Sequence, residues 1–525
     1  MAYRHHTPFF EQSRTHADIS RIGEEERDLL IYCGAGVTID HTGYSWGGLV
    51  TSLFPVRRGS QNGTMPLRRE AQQLGSFMGP AELASVYIHH LRKNNPPGLV
   101  RARLVRELRT RLYTQQPWAR GNLVKNIIWL VIARALRGRT TVVLTTNYDV
   151  HVETEFLALY RLFVNQGMSR VPGLSVRTLG ARPGTRVIVE SIGDTPPLTI
   201  VYLHGRMPER GQAAWPIVLN ERSYAESAVT VSGTLGDYLS SHPMTLILGS
   251  SLTDIPLVRA LSDSRVCAER ERFLRYAVLP FQSISIAGDT NCAAMAADEI
   301  RCRGSEMGLE VIFPDFHGQV AQLTHEITAA SATVPGVPYG TRLSEWWERW
   351  LRQRDGYPTM PDNLRVALGR VYLAMGDVPP TDPLVRSTER YRIEAWLRTA
   401  PSRRNRVLTR WATSDDVRSV GLNGKTAEIN SSSYLAAVQA FVAGRPQSYG
   451  VQDLEPGRAA DHGDSRYTWR SFLAVPVECD GVIVAVITLA SSQFLSSSQI
   501  TEWKRNVLTL LLRACGTDVT RVAGP

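Results

Sequence analysis

Short apolar runs rich in β-formers, each followed by enough chain to make a helix, recur from Leu29 to Phe313, and this alternation most narrows the folds open to the chain. The runs are Leu29 to Cys33, Thr141 to Thr145, Leu198 to Leu203, Thr245 to Leu248, Arg275 to Leu279 and Leu309 to Phe313. Strand text and helix text in turn predict an α/β protein, a parallel sheet flanked by helices. Several runs end in a small or polar residue followed by a turn. Open α/β sheets place their ligands there, at the carboxyl ends of the strands.

At 525 residues the chain is too long for one ordinary core, so two domains or three are expected. Hydrophobic content of 43% and charged content of 21% lie near globular averages, which argues against general disorder. The best apolar stretch, Asn126 to Leu136, is short, follows Lys125 and contains Arg134, so it predicts a buried helix and no membrane span. Met1 to Ser20 is polar, rich in His and Arg, and lacks the apolar centre of a secretory signal; it reads as a flexible arm. The cysteines (Cys33, Cys267, Cys292, Cys302, Cys479 and Cys515) fall at no zinc-knuckle spacing, which fits a reduced, cytoplasmic protein without a structural metal. A net charge of +10 is modest for this size and the arginines are scattered, which argues against a nucleic-acid partner.

The first block runs from residue 21 to 330. Ser331 to Gly340, rich in Pro and Gly, opens a linker that extends to residue 360. Within it, Ser344 can cap a helix whose Trp346, Trp347, Trp350 and Leu351 share one broad face, read as a surface packed on a neighbouring domain or subunit rather than an aromatic nucleic-acid platform. The last block, 361 to 525, begins as helical text. Phe472 to Val477 and Val482 to Leu489, joined through Asp480-Gly481, then predict a hairpin, and Gln499 to Ala514 a closing amphipathic helix. Gly424-Lys425-Thr426 imitates the end of a P-loop, but Ser419 holds the required earlier glycine position. Arg403, Arg404, Arg406 and Arg410 read as a solvated helix face.

The tips of the apolar runs carry the chemistry. After Cys33 comes Gly34-Ala35-Gly36-Val37-Thr38, small residues that let a backbone approach a pyrophosphate at a helix N-terminus, although Ile39 stands where the dehydrogenase fingerprint needs its third glycine. After Leu144 comes Thr145-Thr146-Asn147-Tyr148-Asp149, which either meets the hydroxyls of a ribose or makes an Asx turn and helix cap. After Tyr202 comes Leu203-His204-Gly205, where the histidine is either a catalyst or a hydrogen-bonded structural residue. After Leu248 comes Gly249-Ser250-Ser251-Leu252-Thr253-Asp254.

Together and in this order these motifs resemble the sirtuin-like family, whose NAD site is built from a Gly-Ala-Gly loop, a Thr-Thr-Asn-x-Asp tip, a Leu-His-Gly tip and a Gly-Ser-Ser-Leu turn. Tyr44-Ser45-Trp46-Gly47-Gly48-Leu49 is similar to the text that follows the glycine loop in bacterial defence members, and Val218-Leu219-Asn220 with Tyr224 adds to the agreement. The chain lacks the paired zinc cysteines and the Ile-Pro-Asp-Phe-Arg segment of the deacylases, so the resemblance points to the NAD-hydrolysing branch. Thr38 stands where the family usually has Ser, one hydroxyl for another.

The resemblance implies a Rossmann-like N-terminal domain that takes NAD as substrate, without a metal, and releases nicotinamide. Asn147 would hold the ribose and the attacking water, His204 would act as general base and Asp149 would orient the site. Gly34, Ala35, Gly36, Val37 and Thr38 would wrap the pyrophosphate. Gly249, Ser250 and Ser251 would contact the adenosine side, joined by Asp254 unless it caps the next helix.

The last block is similar to a GAF domain over Ser431 to Leu454, Arg470 to Val477 and Gly481 to Ile487, which implies an α+β module that senses a small ligand, nucleotide-like or phage-derived, or that dimerises the chain. Tyr434, Arg445, Tyr449 and Arg470 are its candidate pocket groups. The combined expectation is a homo-oligomeric NAD hydrolase of antiphage defence under C-terminal control. Its rivals are a non-catalytic sensor of NAD or an ADP-ribose derivative, and a protein ADP-ribosyl or acyl transferase.

Overall fold

The computed structural model describes residues 9–56, 65–113, 120–182, 185–263, 266, 272–283, 290–332, 337, 339–353, 360–376, 391–398, 407–414, 425–430, 433, 435–450, 469–492 and 502–522. The first sheet holds β1 (Leu29–Cys33), β2 (Thr141–Thr145), β3 (Leu174–Thr178), β4 (Val187–Val189), β5 (Leu198–Tyr202), β6 (Met244–Leu248), β7 (Leu274–Val278) and β8 (Glu310–Ile312). Its order is β4-β3-β5-β2-β1-β6-β7-β8, parallel throughout except for β4 against β3. All the apolar runs read from the sequence are strands of this sheet, with ends shifted by a residue or so. The β3–β4 pair at one edge is an addition: Val187–Val189 is half exposed and short, too weak a pattern to read alone.

Burial on both faces explains the continuous apolar text of the central strands. Leu29, Ile31 and Cys33 face the helices Leu123–Leu136, His151–Asn165 and Gly318–Ala330, while Leu30 and Tyr32 face Glu221–Ser241, Ile255–Leu261 and Thr290–Glu306. A third cluster forms a helical cap from Trp46–Ser52, Arg68–Leu74, Pro80–Asn94 and Pro97–Leu112, seated on Tyr148, Met207 and Ile217 beyond the strand tips. The helix Leu123–Leu136 is buried as expected, and Arg134 within it is 1% exposed, donating to the carbonyls of Glu25, at 2.9 Å, and Arg27. Among the described residues no helix is long and apolar enough to cross a membrane.

The second sheet is antiparallel: β9 (Tyr391–Arg398), β10 (Val407–Thr413), β11 (Thr426–Glu428), β12 (Gln447–Gly450), β13 (Ser471–Cys479) and β14 (Val482–Ser491), in the order β11-β10-β9-β14-β13-β12. The hairpin β13–β14 turns on Asp480 and Gly481, both at positive φ, the geometry a two-residue turn demands. Helices Met360–Met375, Ala436–Ala443 and Glu502–Val522 pack around this sheet.

Several expectations change. Residues 9–20 are no loose arm: Phe9 and Phe10 are buried, and the helix Ser13–Glu24 packs on Gly318–Ala330. Ser344 does not cap the Trp-rich helix, which begins at Tyr339 and runs to Gln353. Trp346 and Trp350 are fully buried, and Trp350 meets Trp411 of β10 edge-on at 5.6 Å, so these rings are core. Arg410 lies in β10, 3.1 Å from the Glu394 carboxylate, rather than on a helix face; Arg403, Arg404 and Arg406 lie outside the described residues. One apolar cluster runs without interruption from Leu29 and Ile31 through Trp346 to Ile393 and Leu512, so the two sheets share a core.

Candidate functional site

Register brings the motifs together. Cys33 of β1 pairs with Thr145 of β2 and Leu248 of β6, and Thr145 pairs with Tyr202 of β5. The strands therefore end level, and the residues that follow them, Gly34, Thr146, Leu203 and Gly249, emerge side by side. Because the chain leaves β1 towards β2 on one side and crosses to its other side only at β6, this is also the switch point where an open sheet forms a crevice.

A cavity of about 1030 Å³ fills that crevice, roofed by the helical cap; Trp46, Thr38, Asn147, Asp149, His204 and Asp254 are among its lining residues. That is the upper end of ordinary ligand pockets and large enough for a dinucleotide. Of the residues expected to bind a cofactor, Gly34, Ala35, Gly36, Thr38, Gly249, Ser250, Ser251 and Asp254 line it. Val37 does not: it is fully buried in the core beneath the loop.

The glycines serve close approach. A Cβ on Gly34 would stand 2.4 Å from the Gly249 carbonyl oxygen, one on Gly36 2.7 Å from Gly249 Cα, and one on Gly249, at φ +66°, 2.4 Å from Val37 N. The N–H groups of Gly34 and Gly36 donate to the carbonyls of Leu248 and Gly249, both at 2.9 Å, so these donors bind the two loops to each other. Val37 N–H is taken as well, by the Gly34 carbonyl at 3.0 Å, so what this turn keeps for an anion is chiefly the dipole of the helix Ala35–Thr42.

Asn147 is 7% exposed. Its Nδ2 donates to the Gly34 carbonyl at 3.0 Å and to Thr38 Oγ1 at 3.2 Å, and its backbone N–H donates to Thr145 Oγ1 at 3.0 Å. With the amine held on the protein side, the carboxamide oxygen is the group free to meet a ligand. Thr38 Oγ1 donates onward to Asp149 Oδ2 at 2.9 Å, and Asp149 Oδ1 accepts from His151 N at 3.2 Å at the start of the helix His151–Asn165. Asp149 thus makes the Asx turn and also orients Thr38, while the N-cap position of the helix falls on Val150, without a side-chain cap bond.

His204 is 4% exposed and its Nε2 has no hydrogen-bond partner within the protein. It shares this with His41 Nδ1, His90 Nδ1 and His317 Nε2 among the described residues, and of these four histidines His204 and His317 line the cavity. Burial depresses the imidazole pKa to about 4, opposed weakly by the charge of Asp254, so the ring is neutral near pH 7. Gly205 beside it sits at φ +96°, where a Cβ would collide with the Pro216 carbonyl oxygen at 2.3 Å. Tyr224 meets the imidazole edge-on at 5.1 Å and stacks on Trp46 at 5.8 Å.

Asp254 occupies the N-cap position of Ile255–Leu261 but makes no side-chain cap bond; its carboxylate accepts from Tyr32 Oη at 2.7 Å and from Tyr224 Oη. Ser250 Oγ accepts from Leu252 N at 3.2 Å, and Leu252, buried in the core on the Tyr32 face of the sheet, holds φ +59°, a strained conformation for a branched residue. Ser251 is exposed and shares a hydrogen bond with Thr253. Among the described residues no cluster of His, Cys, Asp or Glu could hold a metal ion.

Sequence reasoning missed several parts. Arg206 forms a two-pronged pair with Glu153, at 2.6 and 2.9 Å, that locks the segment after His204 to the helix His151–Asn165; the two are separated by too much chain to be matched beforehand. Tyr32 carried a readable signal, a polar tip in a buried strand just ahead of the glycine loop. In the C-terminal part, Arg445 reaches across to Asp40 of the N-terminal domain. Arg470 is exposed, Tyr434 lies outside the described residues, and so does the Tyr449 side chain.

Fold and cleft together define an α/β protein with a dinucleotide-sized crevice at its strand tips, joined to an antiparallel α+β domain. No protein-family model and no curated protein matches the chain. Among solved structures, it is similar to the GAF domain from an Acinetobacter phosphoenolpyruvate-protein phosphotransferase at 16% identity, over 35% of this chain and 96% of that one. The TM-score is 0.20, a likeness that carries no functional inference.

Proposed function

We propose that the N-terminal domain is a sirtuin-like NAD hydrolase that releases nicotinamide and ADP-ribose, and that the chain is an antiphage effector governed by its GAF-like C-terminal domain. One observation carries the reading: the free oxygen of Asn147 and the unpartnered Nε2 of His204 line the same cavity as the glycine loop. NAD laid across the tips would put its pyrophosphate at the helix Ala35–Thr42 and a ribose by Asn147.

The bond from ribose to nicotinamide breaks with both electrons leaving on the neutral base, and positive charge develops on the ribose. Asn147 holds the ribose hydroxyls and the incoming water through its oxygen, while neutral His204 accepts a proton from a ribose hydroxyl. Water adds to the anomeric carbon and loses one proton to solvent, while His204 returns its proton to the ribose oxygen, so that one proton is released per turnover. Tyr224 and Trp46 close the apolar side against competing water.

The test is incubation of the purified chain with NAD, alone and with lysate from phage-infected cells, with the products resolved by mass. Nicotinamide and ADP-ribose are expected, and Asn147→Ala or His204→Ala removes them while the chain stays folded. Binding of NAD without turnover under every condition would favour a sensor.

A further inference from the structure

The contact between Arg445 and Asp40 crosses the boundary between the two sheets at a place built for it. The helix Ala436–Ala443 ends in Gly444 at φ +66°, and the chain turns there so that Arg445 points at the N-terminal domain. Gly444 lies against Gly318 so closely that a Cβ on either would come within 2.9 Å of the other's backbone. Only glycine at both positions allows that approach.

Asp40 sits on the glycine-loop helix Ala35–Thr42 and is 3% exposed. Gly121 covers one side of it, leaving space for no added carbon: a Cβ there would stand 2.3 Å from Asp40 Oδ2. On the open side, Asp40 Oδ1 lies 3.3 Å from His317 Nε2 and 3.8 Å from Arg445 Nε. These are ion-pair distances rather than aligned hydrogen bonds, and His317 lines the cavity. A buried carboxylate on this helix works against binding of an anion at its N-terminus unless a cation stands beside it.

We propose that Arg445 is a positioning residue for the strand-tip cleft: by neutralising Asp40 it holds the glycine-loop helix in place and favourable to an anionic dinucleotide, so that the C-terminal domain completes the N-terminal site. For NAD as the ligand this rests on the hydrolase reading; for the helix it does not.

The test uses the full-length chain with Arg445→Met, Arg445→Lys, Asp40→Asn and the double change D40N/R445M. Amide exchange over residues 35–42 and the KM and kcat of nicotinamide release are measured. Arg445→Met is expected to speed exchange over 35–42 and to raise KM on the order of three- to tenfold with little change in kcat. Arg445→Lys restores most of both, and D40N/R445M recovers towards the wild type because the uncompensated anion is gone too. Wild-type exchange and KM in Arg445→Met would overturn the proposal, as would a double variant worse than Arg445→Met, or exchange rising equally across 471–491. If the wild-type chain releases no nicotinamide the hydrolase reading fails, and the exchange comparison alone decides the role of Arg445.

Discussion

Asn147 Nδ2 stands 3.0 Å from the carbonyl oxygen of Gly34, so the tip of β2 is fastened to the tip of β1 by a side chain that lines the cavity. The bond fixes which end of the carboxamide faces the cavity, and Thr38 fixes it a second time. Removing the hydroxyl with Thr38→Val should cost about 1–3 kcal/mol, because Asp149 loses a buried donor. Thr38→Ser should cost little. Denaturant unfolding checks the stability, and turnover should fall in the same order.

Gly36→Ala and Gly249→Ala place a methyl against backbone that cannot withdraw, with approaches of 2.7 and 2.4 Å. Both are expected to lower Tm by several degrees or to prevent folding. Gly98→Ala, in the first turn of Pro97–Leu112 with nothing within 4 Å, should leave Tm unchanged or raise it slightly. A thermal scan of the three variants makes the comparison.

The depressed pKa of His204, about 4, places the loss of a neutral base well below the usual histidine range. Nicotinamide release should show no inflection near pH 6.5 from this group and should fall only below about pH 5. Stability follows with a definite sign. His204 and His41 (about 3) both have folded pKa values below the ordinary 6.5, so the unfolded chain takes up protons first as pH falls. Each then removes about 1.4 kcal/mol per pH unit between about 6.5 and its folded value. His41→Asn should flatten the pH dependence of Tm over that window, and an unchanged slope would refute the assignment.

Arg206→Met should destabilise the chain by about 3–5 kcal/mol, since it leaves the Glu153 carboxylate, 6% exposed, without its partner. Replacing both, as in E153Q/R206M, should recover a large part of the loss. The midpoint of urea unfolding reads the difference.

The apolar runs, their order and the small polar residues at their ends were legible because each is a local property: strand text and turn chemistry are written within a few adjacent residues. So was the hairpin at Asp480-Gly481, where positive φ is needed at fixed positions. The edge pair β3–β4 and the strands β9 and β10 were not, because partly exposed or mixed segments take their form from the neighbours they pair with.

What the sequence determined by itself was a parallel sheet whose tips carry glycines, an asparagine and a histidine. The tertiary structure alone decided that those tips end level, that Val37 faces inward, that Asp254 answers to Tyr32 and Tyr224, and that Arg445 reaches Asp40 in the other domain. The physical reason is range: backbone preference acts over a few residues, whereas the partner of a buried charge is chosen by packing across hundreds.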